Sequence, residues 1–139
     1  NVAARYADYT NFGYTFDEFT HKSKILARHC KDVGRDFDEI VRTTNLTHLI
    51  GETDTELAER TAAFKAHVAP IVGEDNAESV FARTFIDGGG IAGTPEQIVE
   101  HIREWEAEGL GFAIVYFQEA GSDRRGLELF AEQVMPNFT

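Results

Sequence analysis

Apolar positions along the chain alternate between a period that suits helices and one that suits strands. Val2–Asp8 reads as the end of a helix with no N-cap before it, and Tyr9–Phe12 as a short strand closed by Gly13. Thr15-Phe16-Asp17-Glu18 has the form of a capping box, in which a hydroxyl and a carboxylate satisfy amides that the first turn leaves free. The helix it opens carries Phe19, Leu26, Cys30 and Val33 on one face. Lys31 in the last turn and Gly34 beyond it are stop signals. Ile40–Gly51 is rich in Val, Ile and Thr, lacks a helical stripe, and predicts a long strand. One face would carry Val41, Thr43, Asn45, Thr47 and Leu49; the other, Ile40, Arg42, Thr44, Leu46, His48 and Ile50.

The second half repeats the alternation. Thr53-Asp54-Thr55-Glu56 is another capping box, and its helix shows Leu57, Thr61, Phe64, Val68 and Ile71 as a stripe that Pro70 should break or end. A less regular segment follows, with one short helix near residues 77–83, and then Asp87–Gly93, a glycine-rich loop. Thr94-Pro95-Glu96-Gln97 is the clearest helix start: Thr94 caps, Pro95 takes the first helical position and Gln97 completes the box. Ile98, Ile102 and Trp105 form its buried stripe, and Gly109 ends it. Phe112–Phe117 is a continuous apolar run, suited to a strand covered on both faces. Ser122 is placed to cap a last helix with Leu127, Phe130, Ala131 and Val134 inward, stopped by Pro136. Strands alternating with helices predict an α/β protein built on a parallel sheet.

Composition narrows the class. The 139 residues are 42% hydrophobic and 27% charged, as in soluble globular domains. They suffice for one domain but fall short of the about 250 residues of a complete (β/α)8 barrel. A net charge of −11 argues against nucleic acid, which needs clustered Lys and Arg, and against an anionic membrane surface. With one cysteine no internal disulfide forms, and a reducing cytoplasm fits. A first residue other than Met, inside a helical pattern, suggests that other residues precede the chain. The five histidines show no i, i+4 pair, so no metal site is expected.

Three segments carry a resemblance. The first is Ala3-Ala4-Arg5-Tyr6-Ala7-Asp8 followed by Asn11. The second is His29-Cys30-Lys31-Asp32-Val33-Gly34-Arg35-Asp36. The third is Gly93-Thr94-Pro95-Glu96-Gln97-Ile98, followed by residues 111–117 and the tail Leu129-Phe130-Ala131-Glu132-Gln133-Val134-Met135-Pro136. In order and spacing they resemble the C-terminal part of the luciferase-like monooxygenases, and within that family the actinobacterial branch that uses the deazaflavin coenzyme F-420. The resemblance implies the closing part of a (β/α)8 barrel, an incomplete one, as a single partial domain over residues 1–139. Tyr9–Phe12 would be its sixth strand, Ile40–Gly51 its seventh and Phe112–Phe117 its eighth, with an insertion at about residues 53–92. It further implies hydride transfer to, or oxygenation of, a small organic substrate, with coenzyme F-420 or FMN as cofactor. The family's first five strands have no counterpart here, so no complete catalytic set carries over.

Barrel geometry puts helix N-termini and strand ends on the face that bears active sites. Gly89, Gly90 and Thr94 are candidates there for an anionic coenzyme group, against the reading of the loop as a plain connector. Asn11 is a candidate for coenzyme polar atoms, against a turn-forming role before Gly13. His48 and Glu119 are candidates for proton transfer, weighed against a structural histidine and a solvated loop. Asn45, Thr47, Tyr116 and Gln118 also lie toward strand ends. Asp123-Arg124-Arg125 reads as a capping charge cluster, and Cys30 as a small buried hydrophobe. A rival assignment is a non-catalytic half-barrel that pairs with a second chain or the remaining barrel segment, or a small-ligand module. The exposed edges of a partial barrel favour homo-oligomers.

Overall fold

The computed structural model describes residues 1–138. Its centre is β2 (Val41–Ile50), a ten-residue strand that pairs in parallel with every other strand. β1 (Tyr9–Asn11) joins its start, with Asn11 opposite Thr43. β4 (Phe112–Tyr116) pairs with Thr43–Thr47, and so lies on the other side of β2 from β1, since both face Thr43. β3 (Ile91–Gly93) pairs with His48–Ile50. The expected glycine loop is thus shorter than the sequence suggested: its last residues find the free backbone groups at the end of β2 and become strand.

Helices cover one face. α1 (Val2–Tyr6) and α2 (Phe16–Val33) pack through Ala4, Leu26 and Cys30. α5 (Pro95–Ala107) brings Ile98, Ile102 and Trp105 against Leu46 and Ile50 of β2, with Phe19 of α2 in the same cluster. Their fully buried apolar side chains are the main source of stability, at roughly 1.5–3 kcal/mol each. Trp105 meets Phe16 edge-on at 5.3 Å between ring centres and Phe19 at 5.4 Å.

The capping residues act nearly as the sequence predicts. The Glu18 amide donates to Thr15 Oγ1 and the Glu56 amide to Thr53 Oγ1, both at 3.2 Å. The carboxylates reach one residue further back than a capping box requires. Glu18 accepts from the Tyr14 amide at 3.0 Å and Glu56 from the Glu52 amide at 2.9 Å. The Tyr14 amide holds the Glu18 carboxyl below its ordinary pKa. Gly34 closes α2 in the left-handed conformation, φ 71°.

Four expectations are corrected. Pro70 does not end α3 (Asp54–Val72) at once: the helix runs two residues on and turns at Gly73, within one turn of the proline, which has no amide to bond the carbonyl four residues back. The short helix expected near residues 77–83 is longer, α4 (Glu74–Phe85), with Ala77, Phe81 and Phe85 buried at four-residue steps, and takes up most of the segment read as less regular. Ser122 caps nothing: Asp123 Oδ1 accepts from the Arg125 amide at 2.9 Å and α6 spans Arg125–Leu129. After it, Phe130–Val134 forms a wider π turn, so that Leu129 and Val134 are buried while Leu127 and Ala131 face outward.

Helices α3 and α4 pair with each other and cover Leu49 through Phe64, Phe81 and Phe85. Leu49 shares the face of Thr43, Asn45 and Thr47, so this hairpin closes over the carboxyl end of the sheet's second face. Away from the hairpin the larger side chains of that face are exposed, around a buried Thr43. Phe112 and Tyr116 are 56% and 50% exposed, and Tyr9 65%. The apolar run of β4 is therefore covered on one face only, contrary to its sequence signature. No helix among the described residues is long and apolar enough to cross a membrane.

Candidate functional site

Between the end of the open sheet face and α4 lies a cleft of about 350 Å³. Its floor is Asn45 and Thr47 of β2 with Tyr116 of β4, placed side by side because Thr47 is opposite Tyr116 in the ladder. Gln118, just past β4, and Tyr14, between β1 and α2, form two sides. Arg83 and Thr84 of α4 and the loop Gly88–Gly90 form the roof.

The glycines are there for close approach, with no left-handed backbone. A Cβ on Gly90 would collide with the carbonyl oxygens of Thr84 and Thr47, and one on Gly89 would come within 2.7 Å of the Tyr14 carbonyl. Their absence lets the loop lie against the sheet and the β1–α2 connection at once. The Gly89 carbonyl accepts from His101 Nε2 at 3.2 Å, which places the proton on that nitrogen. Burial lowers the His101 pKa, and this hydrogen bond opposes the shift.

Of the candidates drawn from the sequence, Gly89 and Gly90 line the cleft. Asn11 adjoins it, its Nδ2 donating to Asn45 Oδ1 at 3.1 Å across the β1–β2 pair. Thr94 lies elsewhere. Its amide donates to Gln97 Oε1 at 2.9 Å, and Gln97 faces a shallow groove shared with Glu100 and Glu104, a poor setting for an anion.

His48 is fully buried on the helix-covered face, among His101, Phe117 and Phe130. Neither ring nitrogen has a partner among the described residues. Desolvation, with a smaller push from His101, lowers its pKa to about 3. It does not reach the cleft. Glu119 points beneath α3, where its Oε1 accepts from Arg60 Nη2 at 3.0 Å, and Arg60 Nη1 meets Asp123 Oδ2 at 2.8 Å. This triad lines a second cavity of about 460 Å³ that shares Gln118 with the cleft. Arg125 bonds both Glu52 and Glu56, so two arginines tie the base of α3 to the segment after β4.

Arg83 and Tyr14 escaped the sequence reading. Arg83 ends the short helix expected near residues 77–83, which the sequence did not connect to the strand ends, and Tyr14 belongs to a connection with no regular period. The four-residue steps of Ala77, Phe81 and Phe85 mark the helix's buried face, but nothing in them sets it beside the cleft.

Fold and site define an α/β protein whose parallel strands present a polar cleft at their carboxyl ends, the position where ligands bind in such sheets. No protein-family model matches the sequence, and no curated protein matches it. Solved structures share its fold. The coenzyme F-420-dependent tetrahydromethanopterin reductase from Methanopyrus kandleri matches with TM-score 0.66 at 20% identity, over 99% of this chain and 47% of that one. The EDTA monooxygenase from Chelativorans sp. BNC1 matches with TM-score 0.71 at 16% identity, over 98% and 40%. A riboflavin lyase, solved with modified FMN and riboflavin, matches with TM-score 0.65 at 14% identity, over 97% and 39%. The chain thus spans less than half the length of each.

Proposed function

We propose that the chain is an arc of a (β/α)8 barrel from a luciferase-like oxidoreductase, and that the cleft is one wall of its coenzyme and substrate pocket. In this reading β1, β2 and β4 are the sixth, seventh and eighth strands, and residues 53–92 the insertion. The observation that carries it is the cleft's position at the carboxyl ends of parallel strands, within a fold shared along nearly the whole chain with an F-420-dependent reductase and an EDTA monooxygenase. The open sheet face supports it, because that face would look into the barrel.

The residues present fit a flat ring with polar edges. Tyr14 and Tyr116 offer aromatic faces, and Asn45, Thr47 and Gln118 offer donors and acceptors at the ring margin. When bound, a flavin or deazaflavin supplies hydride transfer to or from a small organic substrate, or reaction with oxygen. The chain's own residues bind and orient it: Asn11 fixes the Asn45 amide, and the glycine loop lets the backbone close over the cleft and exclude water. Neither His48 nor Glu119 faces this cleft, so of this chain's acidic groups at the cleft only the Tyr14 and Tyr116 hydroxyls are placed to pass a proton.

The test is fluorescence titration of FMN and of coenzyme F-420 with the chain. We expect saturable quenching by at least one, weakened by Tyr116→Ala. No binding of either overturns the reading.

The exposed Tyr9 and Phe112 favour a second reading, in which two copies cover each other's open faces without chemistry. Sedimentation decides: a dimer that binds neither coenzyme supports this alternative.

A further inference from the structure

We propose that Arg83 recognises an anionic group, a phosphate or a carboxylate, on the molecule that occupies the cleft. This rests on reading the cleft as a ligand pocket and adds the chemical class that it selects.

The chain has 24 acidic residues against 13 lysines and arginines. The cleft inverts that balance: its lining contains no carboxylate and one cation, Arg83. Among the described residues Arg83 has no ion-pair partner, whereas Arg60 is matched by Glu119 and Asp123, and Arg125 by Glu52 and Glu56. A guanidinium without a counter-ion in a concave, otherwise neutral lining favours an anion in the cleft.

The groups around it suit an oxyanion. The phenols of Tyr14 and Tyr116, the Gln118 amide and the Thr47 hydroxyl line the same cleft and can all donate to a bound oxyanion. The Thr84 hydroxyl is not, since it donates to the Val80 carbonyl at 2.7 Å. The helix turn that bears Arg83 is fixed in place, because Gly90 lets the following loop close on the carbonyls of Thr84 and Thr47. A cation in the last turn of α4 also complements the helix dipole. That diffuse interaction leaves the guanidinium's forked donors free for bidentate binding of phosphate or carboxylate.

The anion belongs either to a coenzyme tail or to the substrate, and the experiment separates the two. Inorganic phosphate is titrated into the 139-residue chain while the amides of Gly88, Gly89 and Gly90 and the Arg83 Nε–H are followed by NMR. We expect saturable shifts confined to these groups, lost in Arg83→Gln, weakened in Arg83→Lys and unchanged in Arg28→Gln on α2. Phosphate shifts that are absent, or that survive Arg83→Gln, overturn the proposal. In a second arm FMN is compared with riboflavin, which lacks the phosphate. If Arg83 holds the coenzyme phosphate, Arg83→Gln weakens FMN about tenfold and leaves riboflavin unchanged. If it holds a substrate anion, neither changes, and phosphate still binds the FMN-saturated chain. Phosphate binding through Arg83 in a chain that takes up neither flavin nor deazaflavin keeps this proposal and removes the coenzyme reading.

Discussion

Asn11 and Asn45 join their side-chain amides across the β1–β2 pair, Nδ2 of the first donating to Oδ1 of the second at 3.1 Å. The bond fixes which way the Asn45 amide faces at the edge of the cleft. Asn11→Ala and Asn45→Ala are each expected to weaken coenzyme binding, and the double variant to weaken it little more than Asn45→Ala alone, because the first acts through the second. Both side chains are solvent-accessible, so stability should change by less than about 1 kcal/mol. A titration cycle with urea unfolding as control checks both points.

His48 should make the fold acid-sensitive. Its pKa falls from 6.5 to about 3 on folding, so between those values the unfolded chain binds the proton that the folded chain refuses. Stability is unaffected by this group above pH 6.5 and falls as pH drops below it, by about 2 kcal/mol at pH 5. In His48→Leu, urea midpoints measured from pH 7 to pH 5 should lose this part of the slope.

Arg60 neutralises Glu119 where both side chains are nearly buried, at 9% and 13% exposure. Arg60→Met leaves that carboxylate without its partner and should cost about 3 kcal/mol. Adding Glu119→Gln should recover part of the loss. Denaturant unfolding of the single and double variants reads it directly, and equal stability of the two would contradict the pairing.

Two glycines make opposite demands. Gly90→Ala drives a methyl into two backbone carbonyls and should cost about 3 kcal/mol while opening the cleft loop. Gly34→Ala meets open space and pays only for its left-handed backbone, about 1 kcal/mol. Thermal melts should rank them in that order.

The elements that the sequence announced were those whose signals are local. Thr15, Thr53 and Thr94 start helices where expected, since a cap needs only its own first turn. The facing sets of β2 also held, because a period of two leaves no latitude. Three elements depended on distant partners. β3 is strand only because the end of β2 has free backbone groups beside it. α4 begins at Glu74, after Gly73, with no side-chain cap, so nothing local marked its start. The π turn at Phe130–Val134 shifts the burial pattern in a way that a 3.6-residue period cannot express. The cleft was half legible for the same reason. Asn45, Thr47, Tyr116 and Gln118 sit at recognisable strand ends, while Arg83 arrives from a helix whose position only packing determines.

Among the described residues the other three strands all bond to β2 and none to one another. The sheet therefore has no smaller version of itself: if β2 detaches, the residual strands hold no backbone partner in common. Amide exchange in β1, β3 and β4 should then proceed no more slowly than the opening of β2, so that a single ten-residue segment sets the lifetime of the whole arrangement.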